Sequence, residues 1–433
     1  MYNNSIIYSM AKNLFERQAN QLVNFSRLWG YQAWLVFLVI FSLCVTLIIF
    51  TIQSPVQSRN QPSEIRGVWL TNIDSDVLFS KKNLSEAIDT LNQLNFNTLY
   101  PTVWNWGHTL YPSEVAQPIT GTKLDPTERL QGRDILQEIV NQGHQANMAV
   151  IPWFEFGFMA PADSQLAQNH PQWLTQRKNG DRIWLEGKVH KRVWLNPLHP
   201  EVQTFITNLV TEIVSKYEVD GIQFDDHFGI PFDFGYDDVT VTLYQQEHQG
   251  KLPPTPPINL KTTNNCTIND QVWQEWTRWR AEKITSYMTE LFKTIKATNP
   301  SVIVSLSPNP QPFSANCYLL DWHQWEQRGL IEELVLQVYR PNLQDLQREL
   351  RSPEVQQAKQ HIPFVIGVLS GLKDRPVPIK RIIKQVETIR QKQFSGISFF
   401  FYESLWNLGT ESAKKRQSSY QKLFPTKVNR PEA

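Results

Sequence analysis

The amino-acid sequence predicts an α/β fold, a (β/α)8 TIM barrel preceded by a single N-terminal transmembrane helix. Between residues 64 and 425, apolar segments with strand character alternate with helical segments eight times, as in a parallel barrel. A doubly wound sheet is the alternative, but no glycine-rich phosphate loop follows the first strand. An uncharged run before the barrel is about twenty residues long, enough to span a bilayer.

The uncharged run covers residues 33–52, and no charged residue lies between Arg27 and Arg59. A cleaved signal peptide is the alternative, but the preceding segment is long and no small-x-small site follows the run. An excess of basic residues before the run favours a cytoplasmic amino terminus. We therefore expect a cytoplasmic segment at 1–32, an uncleaved anchor at 33–52, a polar linker at 53–63, and a barrel at 64–425 in the periplasm or outside the cell.

The charge and the cysteine and histidine counts exclude some classes of protein. The 42 basic and 41 acidic residues nearly balance, so nucleic acid is not an expected partner. The nine histidines are never three or four residues apart, and no paired-cysteine signature occurs, so we expect no metal and no cofactor. Outside the anchor, Cys266 and Cys317 either pair in an oxidising compartment or remain two free thiols.

Eight strands are expected in the order of the chain. The strands are predicted at Ile65–Thr71, Thr98–Trp104, Met148–Phe154, Gly221–Phe224, Val302–Ser307, Leu334–Tyr339, Phe364–Leu369 and Ile397–Phe401. The helices between them are predicted near Leu84–Leu94, Gly132–Gln145, Pro200–Lys216, Asp270–Thr298, Asp321–Arg328, Asp345–Gln360 and Ile379–Gln393. The long segment after the third strand is expected to form a small hairpin around Glu186-Gly187.

Two adjacent acids follow the fourth strand directly. Asp225 and Asp226 come after the apolar segment Gly221–Phe224, and catalytic groups of parallel barrels sit at the carboxyl ends of strands. Glycoside hydrolysis needs two carboxyl groups on either side of the bond that breaks. We therefore expect Asp225 or Asp226 to be one catalytic carboxylate. Glu155, after the third strand, is the first candidate for its partner, and Glu403, after the eighth strand, is the second. Neighbours on a strand point to opposite faces, so one of the two aspartates is expected to face the substrate.

Other strand ends offer groups that suit a carbohydrate. Aromatic residues make up 12% of the chain, with 15 Trp, and aromatic faces stack on sugar rings. We expect the following residues to bind substrate: Trp104, Trp106, Trp153, His227, Asn309, Tyr339, Arg340, Tyr402 and Glu403. For some of them the alternative is structural, with Trp104 and Trp153 in the core and Arg340 as a salt-bridge partner.

Several segments resemble the bacterial glycosyl hydrolase-like family 10. The matching pieces are Glu64–Trp69, Thr109–Ser113, Trp194–Pro197 with Pro200–Val202, Val219–Asp226 and Gln337–Arg340. The resemblance implies a barrel hydrolase that acts on cell-envelope or other polysaccharide, including the glycan strands of peptidoglycan in some members.

The fourth strand also resembles two other groups of hydrolases. It is similar to the corresponding motif of the domain that cleaves poly-N-acetylglucosamine, in which the paired acids are thought to be catalytic. It resembles the chitinase pattern Asp-Gly-x-Asp-x-Asp-x-Glu as well, but Gln223 replaces the first inner Asp and His227 stands at the place of the Glu. These departures argue against the chitinase mechanism.

The sequence therefore predicts a membrane-anchored, endo-acting glycoside hydrolase whose partners are an envelope polysaccharide and the membrane. The second hypothesis is a non-catalytic glycan-binding barrel, which would keep the tryptophans and tolerate loss of the acids. The third is an anchored scaffold that binds a protein partner. The presence of the acids favours the enzyme.

Overall fold

The computed structural model describes residues 63–256 and 266–431. The predicted anchor at 33–52 and the segments on either side of it, apart from Ser63, lie outside these residues. Within the two described ranges, no helix is long and apolar enough to cross a membrane.

One parallel sheet forms the centre of the fold, which confirms the predicted α/β class. Its strands are β1 (Ile65–Leu70), β2 (Thr98–Pro101), β3 (Ala149–Val150), β4 (Trp153–Phe154), β5 (Gly221–Asp225), β6 (Ile303–Ser307), β7 (Glu333–Gln337), β8 (Phe364–Leu369) and β9 (Gly396–Phe400). The order across the sheet is β3-β2-β1-β9-β8-β7-β6-β5-β4. Because all neighbours are parallel, their carboxyl ends lie at one edge of the sheet.

The two outermost strands of the sheet, β3 and β4, are separated by only Ile151 and Pro152. β3 pairs with β2, whereas β4 pairs with β5 at the other end of the sheet. The predicted third strand, Met148–Phe154, is therefore divided, because Pro152 has no N–H to donate to a ladder. The sheet curls so that both of its ends meet in this one segment.

Helices connect the strands and cover the outside of the sheet. They span Lys81–Gln93, Gln117–Thr120, Ile135–Gln145, Gln165–Asn169, Pro200–Lys216, Asp238–Glu247, Gln271–Thr298, Phe313–Tyr318, Trp322–Gln327, Leu343–Glu349, Pro353–Ala358, Ile379–Gln391, Tyr402–Trp406 and Ala413–Leu423. The first begins at Ser80, whose hydroxyl accepts from the Asn83 N–H, and buries Leu84, Ala87, Ile88 and Leu91 at helical spacing. The helix predicted at 345–360 is two helices, because Pro353 starts a new one.

The hairpin predicted after the third strand is present. Trp184–Glu186 and His190–Trp194 pair in antiparallel fashion, and Gly187 takes a positive φ of 55° in the turn. The second of these strands also pairs with Met159–Pro161, so the hairpin is joined to the chain that leaves β4.

A chain of hydrogen bonds crosses the interior of the sheet. The Trp69 indole donates to Gln223 (2.8 Å), the Gln223 amide donates to Ser305 (2.9 Å), and Ser305 donates to Glu333 (2.9 Å). Arg430, near the carboxyl terminus, forms an ion pair with Glu333, which is fully buried. Gln223 is therefore a structural residue, since its amide group joins Trp69 to Ser305 in this series of hydrogen bonds.

A disulfide joins Cys266 to Cys317 across 51 positions of sequence. Of the two alternatives that the sequence left open, the structure shows the paired form. Such a cross-link is expected to stabilise the folded state, mainly by restricting the unfolded chain.

Reduction of this disulfide is expected to lower the free energy of unfolding by about 2–4 kcal/mol. The measurement is urea unfolding of the full chain in detergent, followed by tryptophan fluorescence with and without dithiothreitol. A variant with Cys266→Ser and Cys317→Ser should show the lower stability and no response to reductant. Equal stability of wild type and variant would contradict the prediction.

Candidate active site

A cavity of about 250 Å³ lies at the carboxyl edge of the sheet, and we call it the acidic cavity. It contains three catalytic candidates, Asp225, Asp226 and Glu155. Its lining residues are Thr71, Ile73, Asp74, Trp153, Glu155, Phe156, Glu186, Asp225, Asp226, His227, Gln337, Leu372, Phe400 and Phe401.

Asp225 is the last residue of β5 and is almost fully buried. Its Oδ1 accepts from the Gln337 amide (2.6 Å) and the Ser307 hydroxyl (3.1 Å), which come from β7 and β6. Burial, together with the neighbouring charge of Asp226, raises the pKa of Asp225 well above its ordinary value. Ionisation of this carboxyl group is therefore more costly in the site than in water.

Asp226 is more open to the cavity than Asp225. Its Oδ2 accepts a short hydrogen bond from the Asn309 amide, and its Oδ1 lies 3.3 Å from His227 Nδ1. Asn309, predicted to bind substrate, thus holds one of the acids at the site.

His227 connects the acids to the chain after β4. Its Nδ1 donates to the Glu155 main-chain oxygen (3.1 Å) and lies 3.4 Å from Asp225 Oδ2. Burial disfavours the charged ring, but the carboxylates of Asp226 and Asp225 outweigh this effect and raise the pKa of His227 to about 10. The imidazolium is therefore the form present near neutral pH, and it balances part of the acidic charge.

Glu155 lies in a pocket of hydroxyl and amide donors. Its Oε2 accepts from Thr71 (2.9 Å), Thr102 (2.9 Å) and the Asn105 amide (3.0 Å). Burial raises the pKa of Glu155 to about 7, although the threonine bonds oppose this shift. A carboxyl group with this pKa can hold or release a proton near neutral pH.

Direct contact joins the loops after β4 and β5. The Phe158 N–H donates to the main-chain oxygen of His227 (3.0 Å), in addition to the bond from His227 to Glu155. Gly157 lies between these bonds with a φ of 51°, and a Cβ there would meet the His227 oxygen at 2.5 Å. Only glycine allows this approach without displacement of one loop.

Some residues predicted to bind substrate are in or beside the acidic cavity. Trp153 lines it and packs against Trp69 (ring centroids 6.0 Å apart), while His227 and Asn309 contact the acids. Tyr339 is largely buried and stacks on Phe400, which lines the cavity (ring centroids 5.4 Å apart).

The structure does not place the other predicted residues in the cavity. Trp104 is fully buried, donates to the Gly157 oxygen and packs against Phe205, so it is a core residue. Trp106 is exposed on the turn after β2, outside the lining of the cavity.

Three predicted residues from the later strands are also outside the cavity, and each has a structural partner. Arg340 forms an ion pair with Glu349 (3.1 Å), so it has the structural role that was the alternative to substrate binding. Tyr402 packs against Trp406. Glu403 accepts from the Asp76 N–H (3.1 Å) and the Asn407 amide (2.9 Å).

Glu186 and Gln337 also line the cavity, although neither is among the predicted site residues. Glu186 was visible only as part of a hairpin turn. Its place depends on the pairing of that hairpin with Met159–Pro161, which no local pattern reveals. Gln337 ends a strand. Because the carboxyl ends of parallel strands lie at one edge of the sheet, this position indicates that Gln337 lies near Asp225.

Asp225, Asp226 and His227 offer atoms within 4.8 Å of one another that could hold a metal ion. The bond to the Glu155 carbonyl requires that His227 Nδ1 carry a proton, since a carbonyl oxygen only accepts. In this arrangement His227 Nδ1 has no lone pair to offer a metal ion.

The architecture is that of solved glycoside hydrolases. The glycoside hydrolase domain of PgaB (BpsB) from Bordetella bronchiseptica is 14% identical with a TM-score of 0.56, covering 81% of this chain and 100% of that chain. Alpha-L-fucosidase isoenzyme 2 from Paenibacillus thiaminolyticus is 16% identical with a TM-score of 0.56, covering 84% of this chain and 49% of that chain. At these identities the likeness shows the fold alone.

Residues 64–388 match the family Glycosyl hydrolase-like 10, and the chain belongs to this family. Among its relatives, glycosyl hydrolase DigH from Escherichia coli (strain K12) is 23% identical over 334 residues, 66% of this chain and 68% of the relative. Glycosyl hydrolase YngK from Bacillus subtilis (strain 168) is 24% identical over 331 residues, 68% of this chain and 58% of the relative. The predicted family is thus confirmed, and it supports a glycosidase.

Glu155→Gln is expected to change how stability depends on pH. The folded pKa of Glu155, about 7, lies above its ordinary value of 4.5, so this group's contribution to stability is full below pH 4.5 and is lost as the pH rises through 7. Because glutamine does not titrate, the variant should gain about 3 kcal/mol on the wild type between pH 4.5 and pH 8. The measurement is urea unfolding at both pH values.

Glu282→Gln serves as the control, since Glu282 is an exposed carboxylate in an ion pair with Arg328. This change should leave the pH dependence nearly unaltered. A constant difference between Glu155→Gln and wild type at all pH values would show that Glu155 titrates normally.

Proposed function

We propose that this chain is an endo-acting hydrolase of an envelope amino-sugar polymer, such as the glycan strands of peptidoglycan. The observation that carries the proposal is the presence of Glu155, Asp225 and Asp226 in one cavity at the carboxyl edge of the sheet. Membership of the glycosyl hydrolase-like family supports the reaction type, and the resemblance to envelope hydrolases supports the substrate class.

The acids differ in environment, as the two carboxyl groups of a glycosidase must. In our proposal Glu155 is the general acid, because its pKa of about 7 lets it hold a proton at neutral pH and give it to the leaving oxygen. Asp226 is the second carboxyl group, where the Asn309 amide and the His227 imidazolium stabilise negative charge. It would stabilise the positive charge that develops on the sugar ring. A water then adds to the anomeric carbon and gives its proton to one of the two carboxylates, which completes the hydrolysis.

Asp225 is assigned a positioning role beside Asp226. Its bonds to Ser307 and Gln337 fix it at the end of β5, and its Oδ2 lies beside the His227 ring. Both aspartates are therefore needed for activity, although Asp225 is less exposed to the cavity than Asp226.

We also propose that the curled sheet is a closed (β/α)8 barrel and that residues 33–52 anchor it to a membrane with the amino terminus in the cytoplasm. The pairing of β3 with β2 and of β4 with β5 supports closure, since only two residues separate β3 from β4. The Cys266–Cys317 disulfide supports an exported domain, because such bonds persist in oxidising compartments.

The test is the release of new reducing ends by the purified full chain from peptide-free glycan strands, poly-N-acetylglucosamine, and α- and β-glucans. We expect cleavage of an amino-sugar polymer, with kcat about 10²–10⁴ lower for Glu155→Gln and Asp226→Asn. Asp225→Asn should also lose most activity.

Glu282→Gln, remote from the cavity, should cleave at the wild-type rate. Binding of the polymers without release of reducing ends by any wild-type preparation would favour the non-catalytic glycan-binding barrel. Full activity of Asp226→Asn would reject the assigned roles.

A further inference from the structure

Glu186 reaches the acidic cavity from the hairpin and is not one of the proposed catalytic acids. The hairpin enters the wall of the cavity beside Phe156 and Glu155. Its side chain is about one-third exposed (34%), which leaves it accessible to a bound molecule.

Arg192, on the second strand of the hairpin, holds Glu186 through a single oxygen. Arg192 Nε donates to Oε2 at 2.8 Å, and its second nitrogen lies 2.7 Å from the same atom. Among the residues that the structure describes, no donor reaches the other oxygen, Oε1. The carboxylate is therefore oriented but only half engaged.

The hairpin that carries Glu186 packs against residues of the active site. Arg192 lies over the Phe156 ring (5.0 Å to its centroid) and is 11% exposed. Trp194, at the end of the same strand, lies 5.7 Å from the His227 ring, and the Leu195 N–H donates to the Phe158 oxygen (2.8 Å). The hairpin thus presents Glu186 on the same framework that holds Glu155 and His227.

We infer that Glu186 is a substrate-binding residue, whose Oε1 accepts a hydrogen bond from a hydroxyl or N–H group of the sugar in the acidic cavity. Arg192 is the positioning residue that orients it. A carboxylate only accepts hydrogen bonds, and sugar hydroxyl and acetamido groups both supply a donor. This inference rests on the proposed function and adds a residue that selects the substrate.

The test measures binding and cleavage separately. The probes are the polymer that the wild type cleaves and a six-unit N-acetylglucosamine oligosaccharide, the latter titrated calorimetrically into the Asp226→Asn chain. Glu186→Gln should raise Kd and KM about five- to twentyfold and leave kcat within about twofold. Arg192 would bind the one amide oxygen, and the NH2 group left facing the sugar donor cannot accept a hydrogen bond.

Arg192→Met should raise Kd by a similar factor, because Glu186 then loses its orientation. The double variant should be no worse than either single change, and Arg192→Lys should recover part of the affinity. Asp181→Asn is the control and should bind like the wild type. Asp181 lies in the same segment between β4 and β5 as Glu186, but it does not line the cavity.

The inference is overturned if Glu186→Gln leaves Kd and KM unchanged in a chain that cleaves normally. It is also overturned if kcat falls a hundredfold and the pH profile shifts, because Glu186 would then transfer a proton. If the wild type neither cleaves nor binds any of the polymers, the proposed function itself fails.

Discussion

The contact between the main chains after β4 and β5 is the constraint on which the rest of the site depends. The bonds from His227 to the Glu155 oxygen and from Phe158 to the His227 oxygen place acids from two strands beside one cavity. Gly157 makes this approach possible, since any Cβ would collide with the His227 oxygen. The hairpin with Glu186 is attached to the same chain, so its position follows from the same contact.

Buried acids are costly, and the chain compensates each of them with specific donors. Glu155 has Thr71, Thr102 and Asn105, while Asp225 has Ser307 and Gln337. These donors lie at or after the ends of four strands, β1, β2, β6 and β7. The ends of the strands therefore supply the hydrogen bonds that hold the buried acids.

The sequence was sufficient to predict the sheet and the central acids. Apolar segments with strand character identified the strands, and Asp225 and Asp226 were recognisable because two acids follow an apolar strand directly. Glu155 was found by the same reasoning at the next strand of the sheet. These predictions depend on local pattern and on the rule that parallel strands share one carboxyl edge.

The outer part of the site could not be predicted in this way. Side chains along a strand alternate between its two faces. An error of one position in a predicted strand therefore changes whether a residue such as Trp153 or Trp104 is expected in the cavity or in the core. Arg340 and Glu403 are engaged by partners that are visible only after folding. Glu186 enters through hairpin pairing, which depends on contacts between distant segments.

A crystal structure of the Asp226→Asn chain with a bound amino-sugar oligosaccharide tests the central claim most directly. We expect a glycosidic oxygen within hydrogen-bond distance of Glu155, with the adjoining sugar ring beside residue 226 in the acidic cavity. A sugar chain bound elsewhere on the protein, with that cavity filled only by water, would contradict it.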